Sequence, residues 1–408
     1  MSASTYEAVL NHHGAPTRLK FCADVSLGKT VQGTQKSDDE KLVNYIRAAS
    51  IQPYGLELDT QRMWMTEAEL DKLSLCVGDI LIVEGGAGYG RSVVLDQDMP
   101  GWGFQNSIVR VRSRSDWSGR FLRYVVLWQV HSGHVALLAG GATIPHFTGE
   151  KVRELLVPNL PLGTQRTIAN YLDREIGEID AMISKMGRLG ELLVARRVAL
   201  IQAETGNGAG GSTRLKFCAD VSLGKTVQGV QKTDDEKFVN YVRAASIQSY
   251  GLELDDQRMW MSDSEVDKYD LRKDDVLIVE GGAGYGRSVV LDRDMPGWGF
   301  QNHVIRVRPT AGWDGRYLNY CVKNHLATGL IDVLVNGATI PALSSEKTRE
   351  LPVPELPLAE QIRVADRLDE VTEKIDAMQA DVTKLGQLLT ERRAALITDV
   401  VTGKKEVA

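Results

Sequence analysis

The sequence predicts an α/β (α+β) protein of two near-identical globular modules, each followed by a long helix, with the two helices paired. Three observations predict it. The 408-residue chain aligns with itself at an offset of 196, without a gap, from Arg18/Arg214 to Ile201/Ile397. Each copy opens with strand-like runs and turns, and each closes with a proline-free stretch whose apolar residues recur every seven positions.

The repeat comes first because its period decides the architecture. Solenoid repeats run to about 20–50 residues, so this longer unit is a domain-sized module. Between 77 and 106, 26 of 30 positions are identical to 273–302. The first globule spans 18–157 and the second 214–353. Runs such as DILIVE, RSVVLD and IVRVR read as strands, and FLRYVVLWQVHSGHVALL and YLNYCVKNHLATGLIDVL as helices. NGAGGST, 207–213, reads as a flexible joint.

The helices follow the breaks VPNLP and VPELP, over 158–206 and 354–403. Leu172, Ile179, Met186, Leu193 and Leu200 recur every seven, as do Leu368, Ile375, Val382, Leu389 and Leu396. Met182, Leu189, Met378 and Leu385, three residues after a seam position, are expected to complete a narrow stripe suited to one partner helix. Each helix of about 40 residues would span about 60 Å at 1.5 Å per residue. Its partner is expected to be the other copy. Between 161 and 201, 19 of 41 positions match their counterparts, whereas in the globules most do. Paired helices can drift while remaining complementary; near-identical globules point to two modules that bind the same thing.

Composition excludes several classes. With 43% hydrophobic and 25% charged residues the chain is an ordinary globular protein, and no apolar run reaches the roughly 18 residues that span a bilayer. A cytoplasmic, membrane-free protein is expected. Its four cysteines form no CxxC pair, and Cys22 and Cys218 occupy matching repeat positions. A net charge of −6 argues against a surface that wraps nucleic acid on every side, and leaves room for a local basic face.

Catalytic chemistry shared by two modules should use equivalent residues. The histidines are not equivalent: His131, His134, His146, His303 and His325 face Ala327, Leu330, Ala342, Ser107 and Gln129, and His12 and His13 lie outside the repeat. No HExxH, GxSxG or Asn-Pro-Pro-aromatic stretch is present. No catalytic residue and no metal ligand is therefore assigned. The stretch EGGAGYGRS, 84–92 and again 280–288, resembles a phosphate loop except that Arg91 stands where lysine belongs. A phosphate loop must open a helix, and SVVLDQDMPGWG reads as a strand and a Pro-Gly turn instead. It is a glycine-rich hairpin tip beside a binding surface.

Both modules do share polar loops. Lys29, Thr30 and Gln32 recur as Lys225, Thr226 and Gln228; Tyr89 and Arg91 as Tyr285 and Arg287; Gln105 and Asn106 as Gln301 and Asn302. Arginine and lysine suit guanine edges and phosphates, asparagine and glutamine suit adenine, and glycines let a backbone come close. These fourteen are the candidate DNA contacts. Trp102 and Trp298, between glycines, read as core anchors.

Here the pattern resembles the specificity subunit of type I restriction-modification systems. The residues that carry it are RLKFCADVSLGKT, GDILIVEGGAGYGRSVV, QN before an apolar strand, GATIPHF, and above all LPLGTQRTIANYLDREIGEIDAMISK with LPLAEQIRVADRLDEVTEKIDAM. The family's LPxxEQ start is kept as Glu360-Gln361 and altered to Thr164-Gln165 in the first copy. The resemblance implies a non-catalytic subunit whose globules are target-recognition domains for a split site in double-stranded DNA. It implies that the helices are the family's conserved spacers, paired antiparallel as a ruler. Partners are implied too: two adenine methyltransferase subunits bringing S-adenosylmethionine, and two motor-nuclease subunits bringing ATP and Mg.

Antiparallel helices would relate the near-identical globules by a pseudo-twofold axis. The expected site is then an inverted repeat, whose half-site centres lie about 10 bp or somewhat more apart for modules about 35–60 Å apart. Ser107 against His303, and Gln97 against Arg293, are the differences near the loops. Two other readings stay open: a nucleotide-binding enzyme using the Arg91 and Arg287 loops, which ATP binding would reveal, and a coiled-coil scaffold whose globules bind protein, which failure to shift any duplex would favour.

Overall fold

The computed structural model describes residues 15–53, 55–139, 146–206, 211–248, 250–335 and 342–407. The chain divides into two compact units, one of residues up to Met186 together with those from Lys384, the other Gly187–Thr383. Each unit thus holds one globule, the near half of the helix that follows it and the far half of the other helix.

In the first unit, Ile80–Val83 is an uninterrupted apolar run because it is covered on both sides. Its alternating side chains feed two cores. Ile80 and Ile82 pack with Phe121, Tyr124, Val125 and Trp128 of the helix Gly119–His131. Leu81 and Val83 pack with Met63, Met65 and Phe104. This strand lies in a four-stranded antiparallel sheet, in the order Ala23–Leu27, Ile108–Ser113, Ile80–Val83, Ser92–Val94. A second sheet of Arg62–Thr66, Glu40–Ile46 and Gly103–Phe104 closes the other core, with Tyr45 opposite Gly103 in parallel. The second unit repeats both sheets: Val276 and Ile278 enter one core, Leu277 and Val279 the other. Trp102 and Trp298 pack against the small-sheet cores.

The helix expected over FLRYVVLWQVHSGHVALL is two, Gly119–His131 and His134–Ala139, and its counterpart is Gly315–Ala327 and Leu330–Val335. Gly133 and Gly329, at φ +76° and +77°, end the first helix of each pair in the left-handed region. Of the joint expected at 207–213, residues 207–210 lie outside the described residues, and Ser212–Arg214 is a strand paired with Pro352–Pro354. Cys22, Cys218 and Cys321 are buried free thiols; Cys76 is half-buried.

The long helices are Leu162–Thr205 and Leu358–Val401. Their segments run antiparallel in each unit. In the first, Arg393 Nε donates to Asp180 Oδ1 at 2.8 Å, while the Lys405 ammonium lies 5.1 Å from the Tyr171 ring centroid. In the second, Arg197 pairs with Asp376 and Arg367 with Glu204 at 3.1 Å. Of the heptad positions, Leu172, Ile179, Leu193, Leu368, Ile375 and Leu389 are buried, and Met186, Leu200, Val382 and Leu396 half-buried.

The intervening position is corrected. Met182, Leu189, Met378 and Leu385 are 40–51% exposed. The seam is instead completed four residues on, by Ile176, Ile183, Gly190 and Arg197, and by Thr372, Gln379, Gly386, Arg393 and Val400. Successive residues turn by about 100°, so a step of four lands about 40° from the starting side chain and a step of three about 60° away on the other side. The nearer position enters the seam although it is the more polar.

The motif that begins each helix has a structural cause. Gln165 is fully buried; its Oε1 accepts from the Ser118 amide at 2.9 Å and its Nε2 donates to Leu160 O at 2.8 Å. Gln361 repeats this with the Asp314 amide and Leu356 O, at 2.9 and 2.8 Å. Two turns on, Asp173 and Asp369 accept from Tyr124 and Tyr320, at 2.8 and 2.7 Å. Thr164 is solvent-exposed and Glu360 half-exposed beside Arg363, so the departure from LPxxEQ touches none of these bonds.

Candidate nucleic-acid interface

The three polar loops of each module, far apart in sequence, meet at one surface. In the first unit the Lys29 amide donates to Phe104 O at 3.0 Å and the Asn106 amide returns a bond to Lys29 O at 2.9 Å, which joins the loop after Ala23–Leu27 to the turn before Ile108. The Glu84 amide then donates to Ser107 O at 2.9 Å and Glu84 O accepts from the Phe147 amide at 2.7 Å, adding the glycine loop and the segment at His146. The second unit repeats the chain through Lys225, Asn302, Glu280 and Leu343, with Glu280 bonding to His303 O at 3.0 Å.

Close approach is what the first glycine supplies. A Cβ on Gly28 would sit 2.2 Å from Phe104 O, and on Gly224 2.2 Å from Gln301 O. The glycine loop Gly85–Ser92 contains one 3-10 turn, Gly86–Gly88, and runs into the strand Ser92–Val94. It opens a strand where a phosphate loop opens a helix, so it lacks the converging amides of a helix N-terminus.

The fourteen predicted contacts divide by what their side chains touch. Lys29 is largely buried and its Nζ lies 2.5 Å from Glu69 Oε2; Lys225 pairs with Glu265 in the same way. Gln32 donates to Glu40 at 2.7 Å and Gln228 to Glu236 at 2.7 Å. The Lys36 amide and Gln32 together hold the Glu40 carboxyl below the ordinary range, although desolvation opposes them. These four therefore stiffen the loop from inside. Tyr89 and Tyr285 pack against the helix-side cores, and Tyr285 donates to Asp332 at 2.5 Å. Gln105 donates to Ser107 Oγ, and Gln301 is half-buried. Thr30, Arg91, Asn106, Thr226 and Arg287 are exposed and Asn302 half-exposed. Arg91 has no hydrogen bond or ion pair among the described residues, and Arg287 only a 3.5 Å contact with Gln248 Oε1.

Sequence reasoning missed the glutamate at the centre. Glu84 is half-buried, its carboxyl raised by desolvation and lowered in part by His146. Glu280 has His303 Nδ1 at 3.3 Å from Oε2. Position-by-position comparison discards these histidines because each faces a non-histidine in the other copy, yet the fold brings both beside the equivalent glutamate.

Likeness between the copies also maps onto this surface. Residues 28–66 match 224–262 at 32 of 39 positions, and 77–106 match as closely. Residues 113–157, which carry the helices on the opposite core, match 309–353 at 19 of 45. The near-identical part is the small sheet, the loops and the strands Ile80–Val83 and Ser92–Val94 that carry the glycine loop, not the helices that pack on the long helix.

Two solved structures share this architecture over nearly the whole chain. A chain from a structure of complex assembly and conformational transition of the type I R-M system superposes with a TM-score of 0.72 at 13% identity, covering 95% of this chain and 97% of that one. The HsdS subunit from Thermoanaerobacter tengcongensis superposes at 0.55 and 14% identity, covering 96% and 97%. No family profile and no curated protein matches the sequence. The chain has the fold of type I specificity subunits, two mixed globules each followed by a long helix. Among the described residues no helix is long and apolar enough to cross a membrane.

Proposed function

We propose that this chain is the non-catalytic DNA-recognition subunit of a type I restriction-modification complex, reading a split site in double-stranded DNA. The observation that carries the reading is the pairing of that fold with two copies of one polar loop surface, alike where the loops converge and divergent where the globule meets its helix. The catalytic groups belong to partners: adenine methyltransferase subunits with S-adenosylmethionine, expected as a pair, and two restriction subunits with ATP and Mg. Those partners need a docking face. Exposed Met182, Leu385 and Leu388 in the first unit, and Leu189, Leu192 and Met378 in the second, offer apolar surface along the helices.

Two like surfaces joined by antiparallel helices favour an inverted repeat, since a symmetric protein reads a symmetric site. Single-molecule sequencing of adenine methylation in cells expressing this chain with its methyltransferase should reveal a split motif with mirrored halves. Unequal halves would refute the symmetry and leave the function standing; no motif beside an active methyltransferase would refute both.

Arg91 and Arg287 serve this surface as phosphate contacts. Arg91→Ala and Arg287→Ala should each weaken binding of the assembled complex to all duplexes about equally. Each should also flatten the slope of log K against log salt by about 0.9. An unchanged slope would remove that loop from the backbone of the DNA.

A further inference from the structure

The loop surface is rich in donors, namely Arg91, Asn106 and the amides of its glycines, and at its centre each copy holds one acidic side chain. Four of the other acidic groups around the loops have partners. Glu40 takes Gln32, Glu69 takes Lys29, Asp59 takes Arg47, and Asp79 takes Arg112 at 2.7 Å. Glu84 differs. Its backbone is pinned on both sides, by Ser107 and by Phe147, so its side chain is aimed by the fold; its carboxyl is half-buried and accepts no hydrogen bond among the described residues. Glu280 is pinned identically, is 22% exposed, and among the described residues its carboxyl meets only His303.

A half-desolvated carboxylate with only an imidazole beside it keeps free acceptor positions, and a further donor reaching them is favoured. Beside DNA, whose phosphates repel it, the groups it can accept from are the exocyclic amines of the bases. In the major groove cytosine presents its N4 amine there, whereas the amine of adenine stands next to N7, a lone pair that repels an anion.

Resting on the reading of this chain as a DNA-recognition subunit, we propose that Glu84 and Glu280 are specificity-determining acceptors, each taking a hydrogen bond from the N4 amine of one cytosine in its half-site. The histidine beside each glutamate offers an imidazole close to the carboxylate without closing it in a strong ion pair. The two globules reach that arrangement from non-equivalent positions, His146 opposite Ala342 and His303 opposite Ser107. The glutamate is the shared element, so both halves read the same base.

The test is the methylation motif written by the complete complex. Glu84→Gln, nearly isosteric, should relax or replace a C·G requirement at one position of one half of the motif and leave the other half intact. Glu280→Gln should do the same to the mirrored half, and both variant complexes should melt as the wild type does. A wild-type motif written unchanged by both variants overturns the proposal. So does uniform loss of methylation at every site with a lowered melting temperature, since that is a structural role. If the wild-type complex writes no split motif, the DNA-recognition reading itself fails and this inference falls with it.

Discussion

Gln361→Leu is expected to destabilise the chain by about 2–5 kcal/mol, and Gln165→Leu by a similar amount. Each glutamine is fully buried and fastens the first turn of a long helix to the start of a globular helix, accepting from one backbone amide and donating to a backbone carbonyl. Leucine fills the same space but leaves the Asp314 amide and the Leu356 carbonyl without partners, and each orphaned buried group costs about 1–3 kcal/mol. In a unit of this size about 3 kcal/mol lowers the melting temperature by about 6–12 °C. The control is Thr164→Glu, which restores the family's LPxxEQ start at an exposed position and should change stability by no more than about 0.5 kcal/mol. Chemical denaturation followed by helical circular dichroism reads both. A loss below about 1 kcal/mol for the two leucine variants would mean that the freed groups find water, and that the motif is not a structural joint.

That joint marks the boundary of what the sequence makes legible. The repeat, the strand runs and the two long helices depend on periodicity and breakers, which are local, and Leu162–Thr205 and Leu358–Val401 follow the proline breaks that announce them. Partners across space are not local. Lys29 and Lys225 look like DNA contacts by residue type, yet Glu69 and Glu265, forty residues on, take their charge. The helix seam needed the choice between a step of three and a step of four; apolar Met182 and Leu189 drew the reading to the wrong one because glycine and arginine do not look like seam residues. Gly190 nonetheless packs there, where a Cβ would lie 3.9 Å from Val382, and Arg197 and Arg393 lay their stems along the seam and place their guanidinium groups on Asp376 and Asp180. The Glu84 and Glu280 centre was hidden for another reason. Comparison of two copies finds what occupies the same position, and the histidines occupy the same space from different positions.

Gly28→Ala is expected to damage the loop surface of the first module more than any change to an exposed side chain, and Gly224→Ala that of the second. The added carbon would lie 2.2 Å from Phe104 O and 2.4 Å from Gln105 O in one, and equally close to Gln301 O and Phe300 O in the other. These are backbone atoms, so no rotamer change relieves the clash. The loops can separate only by giving up the bonds from the Lys29 amide to Phe104 O and from the Asn106 amide to Lys29 O, at 3.0 and 2.9 Å. Overpacking against backbone with loss of such bonds costs about 3 kcal/mol. If that cost falls on the bound arrangement, affinity for the cognate duplex drops by about 100-fold. Gly33→Ala is the matched control: no atom lies within 4 Å of its Cβ position, so binding should stay within about twofold of wild type. The assay is titration of the assembled complex with a duplex carrying the motif it methylates, beside a melting curve. Wild-type affinity in Gly28→Ala would place DNA recognition away from the converging loops. Weakened binding in Gly33→Ala as well would show that the loop's mobility, rather than its seat against 104–106, is what the DNA requires.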